Sequence, residues 1–383
     1  IIGSGIAGLT CALQIANARP DLRIVVLCKE LMSDSNSYLA QGGIAAVMNT
    51  STDSIEQHIA DTIACGYGLN NSDVVRRVVE RAPATIRWLE SLGVEFDYIR
   101  NHELHLAMEG GHSRPRIVHR ADSTGKAIIQ KLISAVIAKK NISILENHVA
   151  TELITAKRNP TTASTSCNGC YVLDRHTNNY NSIMSKVTVI ATGGCGQVYD
   201  ITTNPGIATG DGVALAYRAG ARITDMEYIQ FHPTVLYDTG SNRRLLITEA
   251  LRGAGAYVVN KNGRRFLFDT DLRGELAPRD VVSRAVEREQ RATNAHHVFL
   301  DCRHIANGIL HEHFSAIVKE CASRGYDVLK DQLPITTAAH YQTGGIDVDD
   351  RARATLTHLY ACGECAFTGM HGSNRLASNS LLE

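Results

Sequence analysis

Three glycines near the start of the chain have a spacing that can grip a phosphate. The first residues read Ile1-Ile2-Gly3-Ser4-Gly5-Ile6-Ala7-Gly8, a G-x-G-x-x-G run directly after two apolar β-branched residues. In such a run the first glycine permits a tight turn and the second lets backbone approach a diphosphate. The third lets helix and strand pack closely. Amide groups at the helix start then meet the anion along a favourable dipole. Gly3, Gly5 and Gly8 therefore point to a bound dinucleotide.

The other reactive side chains are less specific. Ten cysteines stand at 11, 28, 65, 167, 170, 195, 302, 321, 362 and 365, with no disulfide framework evident in a chain this long. Reduced thiols are the expectation. Two C-x-x-C pairs, Cys167/Cys170 and Cys362/Cys365, lie much further apart than in a compact zinc ribbon, so no metal site is expected. Sixteen histidines give each one, taken singly, the standing of a satisfied polar residue rather than a catalyst.

The elements that must position the glycine turn are legible around it. Leu9 to Ala16 has helical apolar spacing and Arg23 to Leu27 reads as a second strand. This completes a strand–turn–helix–strand unit of about 30 residues, the context the motif requires. At the end of the second strand, Glu30 or Lys29 reaches a ribose, or the strand end is simply solvated. Ser33 to Ser37 is polar. Ala40 to Val47, with Gln41, Gly42 and Gly43, has the small residues that let backbone approach something flat or anionic. Ser54 to Gly93 reads as amphipathic helices, with Trp88 in the core. Val187 to Gly194 and Leu359 to Glu364 read as strands ending in small residues and in Gly-Glu, and Thr209 to Gly212 opens another helix. Asn159 to Asn168 reads as a polar loop between strands, close to Cys167 and Cys170.

Composition bounds the rest. The 383 residues suffice for two or more domains. Lysine plus arginine and aspartate plus glutamate number 39 each, so no global basic footprint marks a nucleic-acid binder. No apolar run reaches the roughly 18 residues that span a bilayer.

Five segments then carry a resemblance. They are the opening turn, Ala40–Val47, Gln230-Phe231-His232-Pro233-Thr234, Ala277-Pro278-Arg279-Asp280 and the closing Gly372–Glu383 run. In this order they resemble the succinate dehydrogenase/fumarate reductase flavoprotein family along nearly the whole chain. The resemblance implies an α/β fold: a two-dinucleotide-binding, Rossmann-like FAD domain over 1–225 and 341–383, interrupted by an α+β capping domain over 226–340. Family members continue into a C-terminal helical domain. The chain is thus expected to lack that domain and to be a piece of a longer protein.

Two features place it on a branch. Respiratory members attach FAD covalently to a histidine before the Gln-Gly-Gly, whereas Ser35-Asn36-Ser37-Tyr38-Leu39 holds none, so a noncovalent flavin is implied. Glu109, in Met108-Glu109-Gly110-Gly111-His112-Ser113, stands where dicarboxylate-only members lack a carboxylate. The resemblance implies that it meets the α-ammonium of L-aspartate. A carboxylate pairs well with an ammonium and repels a further carboxylate.

The remaining roles are also implied by resemblance. Arg279 matches the proton-transfer group, although a free arginine stays protonated and its role is left open. His232, Thr248, Glu249, His340 and Arg375 match substrate-binding positions. Arginine suits a dicarboxylate because its planar fork binds bidentately. Ile6, Ala7, Lys29, Ser35, Ser37, Gln41, Gly42, Gly43, Ala191, Thr192, Gly193 and Asp211 match cofactor positions. Glu364 is expected on ribityl or ribose hydroxyls, and Ser380 and Leu381 beside the flavin at a helix start. The implied activity is oxidation of L-aspartate to iminoaspartate, with reoxidation by oxygen to hydrogen peroxide or by fumarate to succinate. That reaction opens NAD biosynthesis through quinolinate, with quinolinate synthase as the implied next enzyme, in the cytoplasm, without nucleic-acid or membrane partners. Two rivals are a respiratory flavoprotein subunit and a non-catalytic FAD-binding redox module.

Overall fold

The computed structural model describes residues 1–99, 103–159, 162–238 and 244–383. Its centre is a parallel sheet. Ile24–Leu27 pairs with Ile142–Leu145 on one side. On the other side Ile2 bridges Leu27 and Ile190, and Thr188–Ile190 pairs with Leu359–Ala361. Ile2 thus sits buried in mid-sheet, as a strand between two parallel neighbours requires, with Ile1 half-buried before it. The helix Ile6–Ala18 packs Leu9, Ala12, Leu13 and Ala16 into one core with Ile128, Ile129, Leu132 and Val136 of the helix Thr124–Ile137. Trp88 packs partly buried against that core.

The polar stretch from Asn159 differs from the loop expected there. His148–Asn159, Thr162–Asp174 and Asn179–Met184 form an antiparallel meander, with Thr155 opposite Cys167 and Leu153 opposite Cys170. Part of the expected loop, residues 160–161, lies outside the described residues. Polar and β-branched residues form a strand here because the neighbouring strands satisfy their backbone groups, while Cys167 and Cys170 turn into an apolar core. Both thiols are buried and free.

A second unit rises between the cofactor strands. Ile229–Leu236, Gln332–Gln342, Val298–Asp301 and Tyr257–Val259 form an antiparallel sheet in that spatial order. The helix Arg279–Thr293 lies against it, and Ser283 donates to the Phe231 carbonyl at 2.8 Å. This capping unit has its own core, drawn from residues between Leu236 and Ile335, including Ile247, Val258, Val282, Val286 and Leu300. Its first and last strands in sequence, Ile229–Leu236 and Gln332–Gln342, are paired neighbours that lead the chain into and out of this unit from the parallel sheet. They thereby bring His232 and His340 to the boundary between the two units.

Candidate active site

The glycine turn folds as its spacing requires. Gly3 adopts φ +114°, and a Cβ there would lie 2.1 Å from the Ala191 carbonyl oxygen. A Cβ on Gly8 would lie 2.1 Å from the Gly3 carbonyl oxygen, so helix and turn close on each other only without side chains. Gly5 caps the helix without a side-chain bond and lines a long cleft. Ile6 N–H donates to Ser37 Oγ at 3.1 Å, and Ser35 Oγ accepts from Tyr38 N–H at 3.1 Å. These bonds fix the polar loop over the turn.

The end of the cleft beside Lys29 is charged on both sides. Lys29 Nζ donates to Asp211 Oδ2 at 2.7 Å and to Thr209 Oγ1 at 2.6 Å. Glu30 pairs with Arg175. Both Lys29 and Glu30 line the cleft, each neutralised by its own partner. The same cleft is lined by Gln41, Gly42, Gly43, Ala191, Thr192, Gly193 and Glu364. Gln41 Oε1 and Thr192 Oγ1 are buried with no partner among the described residues. Burial pushes the Glu364 carboxyl up to about 7, despite its bond from Gln342 N–H at 3.1 Å. Unpartnered polar atoms beside a side-chain-free turn and an amide-rich helix start fit a dinucleotide with many hydroxyls.

At the other end the cleft meets the cap. Arg279 Nε donates to Glu249 Oε2 at 2.5 Å, and Arg252 stands 3.0 Å from Glu249 Oε1. Glu249 Oε2 is thus bonded to Arg279, while Oε1, near the Arg252 guanidinium, makes no hydrogen bond among the described residues, and Glu249 lines the cleft. Two guanidiniums converge on this carboxylate. Thr248 caps the short helix Glu249–Gly253 and lines the cleft.

Arg279 Nη1 donates to Gln230 Oε1 at 3.3 Å, and Arg375 Nη2 donates to the same oxygen at 3.0 Å. Gln230 Nε2 donates to Asn374 Oδ1 and to the Arg375 carbonyl, both at 2.7 Å. One buried amide therefore sets the spacing of two arginines from different units. The reading of 230–234 singled out His232 and passed over Gln230, although it stands in the same run. Arg375 Nη1 also donates to Ser380 Oγ at 3.1 Å, and its guanidinium lies 4.6 Å above the Tyr341 ring. Burial and then the Arg279 charge bring Arg375 down to about 10. Ser380 and Leu381 lie in turns rather than at a helix start, and both line the cleft.

His232 and His340 stand with ring centroids 5.0 Å apart. Burial and the neighbouring arginine charges hold both well below the usual histidine range. His232 Nδ1 accepts from Thr234 N–H at 3.2 Å, which leaves the proton on Nε2. That Nε2 is buried and unpartnered among the described residues. A neutral donor of this kind suits a carboxylate oxygen. His340 Nδ1 is 2.7 Å from Thr203 Oγ1.

Glu109 brings a carboxylate to this end of the cleft. It is 3% exposed, and Oε2 accepts from Ser378 Oγ at 2.6 Å. Among the described residues no cation lies in ion-pair range of it. Burial and the Glu249 charge push its carboxyl up, against the pull of Arg279.

The comparisons with known proteins agree with this geometry. The model of the FAD binding domain family matches residues 1–381. L-Aspartate oxidase 1 of Ralstonia nicotianae is 45% identical over 385 residues, covering all of this chain and 71% of its own length. The L-aspartate oxidase of Yersinia pestis is 43% identical over 387 residues, covering all of this chain and 72% of its own. The chain belongs to the L-aspartate oxidase family. Its fold is shared with the wider succinate dehydrogenase/fumarate reductase flavoproteins. A solved quinol-fumarate reductase with menaquinol molecules superposes with a TM-score of 0.93 at 34% identity, over all of this chain and 68% of that one. An E. coli quinol fumarate reductase variant gives a TM-score of 0.94 at 33% identity, over 66% of that chain. The family binds FAD, and the cleft fits it.

Proposed function

We infer that this chain oxidises L-aspartate to iminoaspartate with FAD, opening NAD biosynthesis through quinolinate. The observation that carries the reading is Glu109, a buried carboxylate without a cation partner at the end of the cleft where Arg279, Arg375 and two neutral histidines converge. A substrate with two carboxylates and one ammonium answers every one of these groups; a plain dicarboxylate leaves Glu109 unanswered. When bound, FAD supplies the hydride acceptor.

The chain's own groups do the positioning. Arg375, His340, His232 and Thr248 hold the two carboxylates, and Glu109 takes the ammonium. That arrangement aims the Cα–H and removes rotational freedom ahead of the chemistry. The Arg279 guanidinium is an acid rather than a base at rest. It can give a proton to the carbon of fumarate, and the replacement reaches it through Glu249, 2.5 Å away, which must first take up a proton from water before handing it on. The portion 226–340 serves as a cap over the FAD-binding portions 1–225 and 341–383, and its closure excludes water. FAD is held noncovalently, since Ser35 to Leu39 offers no histidine for attachment. The setting is cytoplasmic, with quinolinate synthase taking iminoaspartate onward, and reoxidation is by oxygen or fumarate.

The close superposition on quinol-fumarate reductase favours a second reading, a respiratory flavoprotein subunit. Anaerobic mixing separates the two. L-Aspartate is expected to bleach the flavin absorbance of the FAD-loaded protein; bleaching by succinate alone would transfer the chain to the second reading.

A further inference from the structure

A second cavity opens on the far side of Glu109 and extends beyond the site described so far. It shares Gln41, Gly42, Gly43, Glu109 and Thr248 with the main cleft. The rest of its lining is mainly apolar, apart from Asp122 and three histidines, His105, His119 and His313. Asp122 is already committed, accepting from Ala316 and Ile317 N–H at 3.0 and 3.2 Å.

The histidines form a connected set. His119 Nδ1 lies 3.3 Å from Asp97 Oδ2, and its Nε2 lies 2.8 Å from His105 Nδ1. With Asp97 as acceptor, His119 carries its proton on Nδ1 and accepts at Nε2 from His105 Nδ1–H. The backbone locks the three together: Asp97 N–H donates to the His119 carbonyl at 2.9 Å, and His105 N–H to the Asp97 carbonyl at 2.8 Å. Asp97 also receives Ala121 N–H at 2.6 Å and Arg120 at 3.3 Å. His313, from the cap, stacks on His105 with centroids 6.0 Å apart. The groups facing His119 are thus Asp97, His105 and His313. Burial lowers His119 more than Asp97 raises it, so it rests neutral and ready to accept.

Oxidising an amine requires a proton to leave nitrogen. The Cα–H bond breaks and its electron pair goes to the flavin acceptor. One N–H bond breaks, and its pair becomes the new C=N bond. The ammonium becomes an iminium, and one proton must go to a base. On the reading of Glu109 as the ammonium's partner, that carboxylate is the nearest base. It is enclosed, and it takes the ammonium's proton only as fast as that proton is passed on. We propose that the Asp97–His119–His105 set, reached through water in the second cavity, carries this proton from Glu109 toward solvent. The route is separate from Arg279, Glu249 and Arg252. These residues act through Glu109 and touch no substrate. The proposal rests on the aspartate reading given above.

Fumarate supplies an internal control, because it has no ammonium and its reduction takes up a proton at carbon. The test is anaerobic stopped-flow on FAD-loaded protein, comparing flavin reduction by L-aspartate with reoxidation of the reduced protein by fumarate. His119→Asn and His105→Gln should each slow the aspartate half-reaction at least about tenfold, leave the fumarate half-reaction within about twofold, and regain speed with added imidazole. His105 is only partly buried, so its variant guards against a folding defect, and FAD content is read for both. Equal slowing of the two half-reactions, or an unslowed aspartate half-reaction, overturns the relay while leaving the aspartate reading standing. Failure of the parent protein to be bleached by aspartate removes the reading, and the relay with it.

Discussion

Arg279 and Glu249 face each other at 2.5 Å, Nε to Oε2, at the boundary where the cap meets the cofactor cleft. Burial works to raise the Glu249 carboxyl, and Arg279 with Arg252 outweighs it, so Glu249 stays below the usual carboxylate range. Replacing it by Glu249→Gln leaves two buried guanidiniums without a counter-charge. Breaking a buried pair in this way costs about 3–5 kcal/mol. Urea unfolding should show that loss, and unchanged stability would mean that the arginines find another partner.

Arg279→Leu tests the acid itself. With FAD content intact, fumarate reduction should fall by about 100-fold or more, the scale of a lost general acid, and aspartate oxidation, whose proton leaves through Glu109, should fall less. Steady-state rates with each substrate decide the matter, and unchanged turnover removes Arg279 from the chemistry.

Glu109→Gln separates the substrates. The change removes the charge that meets an ammonium and nothing that a dicarboxylate uses. Truncating one partner of a buried charge pair costs about 2–5 kcal/mol, or about 30-fold and upward. That loss is expected in kcat/KM for L-aspartate and not for fumarate. Equal losses would sink the ammonium pairing.

Gln230→Leu takes the shared acceptor from both Arg279 and Arg375, whose guanidiniums are then free to separate. Unsatisfied buried donors cost about 1–3 kcal/mol. KM for aspartate and fumarate should rise together, by about tenfold, and Gln230→Glu should recover much of the loss because it restores an acceptor. A rise for one substrate alone would mean that Gln230 touches that substrate rather than spacing the arginines.

Acid should loosen the run that closes the site. His58 Nε2 lies 2.9 Å from Asn379 Oδ1, and His112 Nε2 lies 2.8 Å from the Ala377 carbonyl. His112 Nδ1 faces Arg116 Nη1 at 3.0 Å, so it must stay unprotonated. Burial lowers His58 to about 4 and His112 to about 3. Between pH 6.5 and 4 the unfolded chain binds protons that the folded chain refuses, so stability falls as pH falls through that window. The His58 shift corresponds to about 3 kcal/mol. Thermal unfolding from pH 7 to 4.5 should show the slope, and His58→Asn should flatten it.

Much of the cofactor end was legible because its constraints are local. A glycine turn between a buried strand and a helix needs only neighbours in sequence, and Gly3 and Gly8 meet the Ala191 and Gly3 backbone as that pattern demands. The meander was not legible. Its Ser/Thr-rich strand looks like a loop until the partner strands supply hydrogen bonds, and Cys167 and Cys170 then turn inward. Lys29 and Glu30 stayed ambiguous for the same reason, since Asp211 and Arg175, which answer them, are remote in sequence.

The sequence by itself determined the dinucleotide turn, the order of the segments around it, and the resemblance that singles out Glu109, His232, Arg279, His340 and Arg375. The tertiary structure decided what each charge is doing. Glu249 is paired with Arg279, Gln230 bridges two arginines, and Glu109 is a buried carboxylate with no cation in ion-pair range among the described residues. Those roles depend on which groups converge within a few ångströms across the two units. Spacing along the chain cannot encode such long-range pairing; only the packing of the cap on the cofactor sheet brings the partners together.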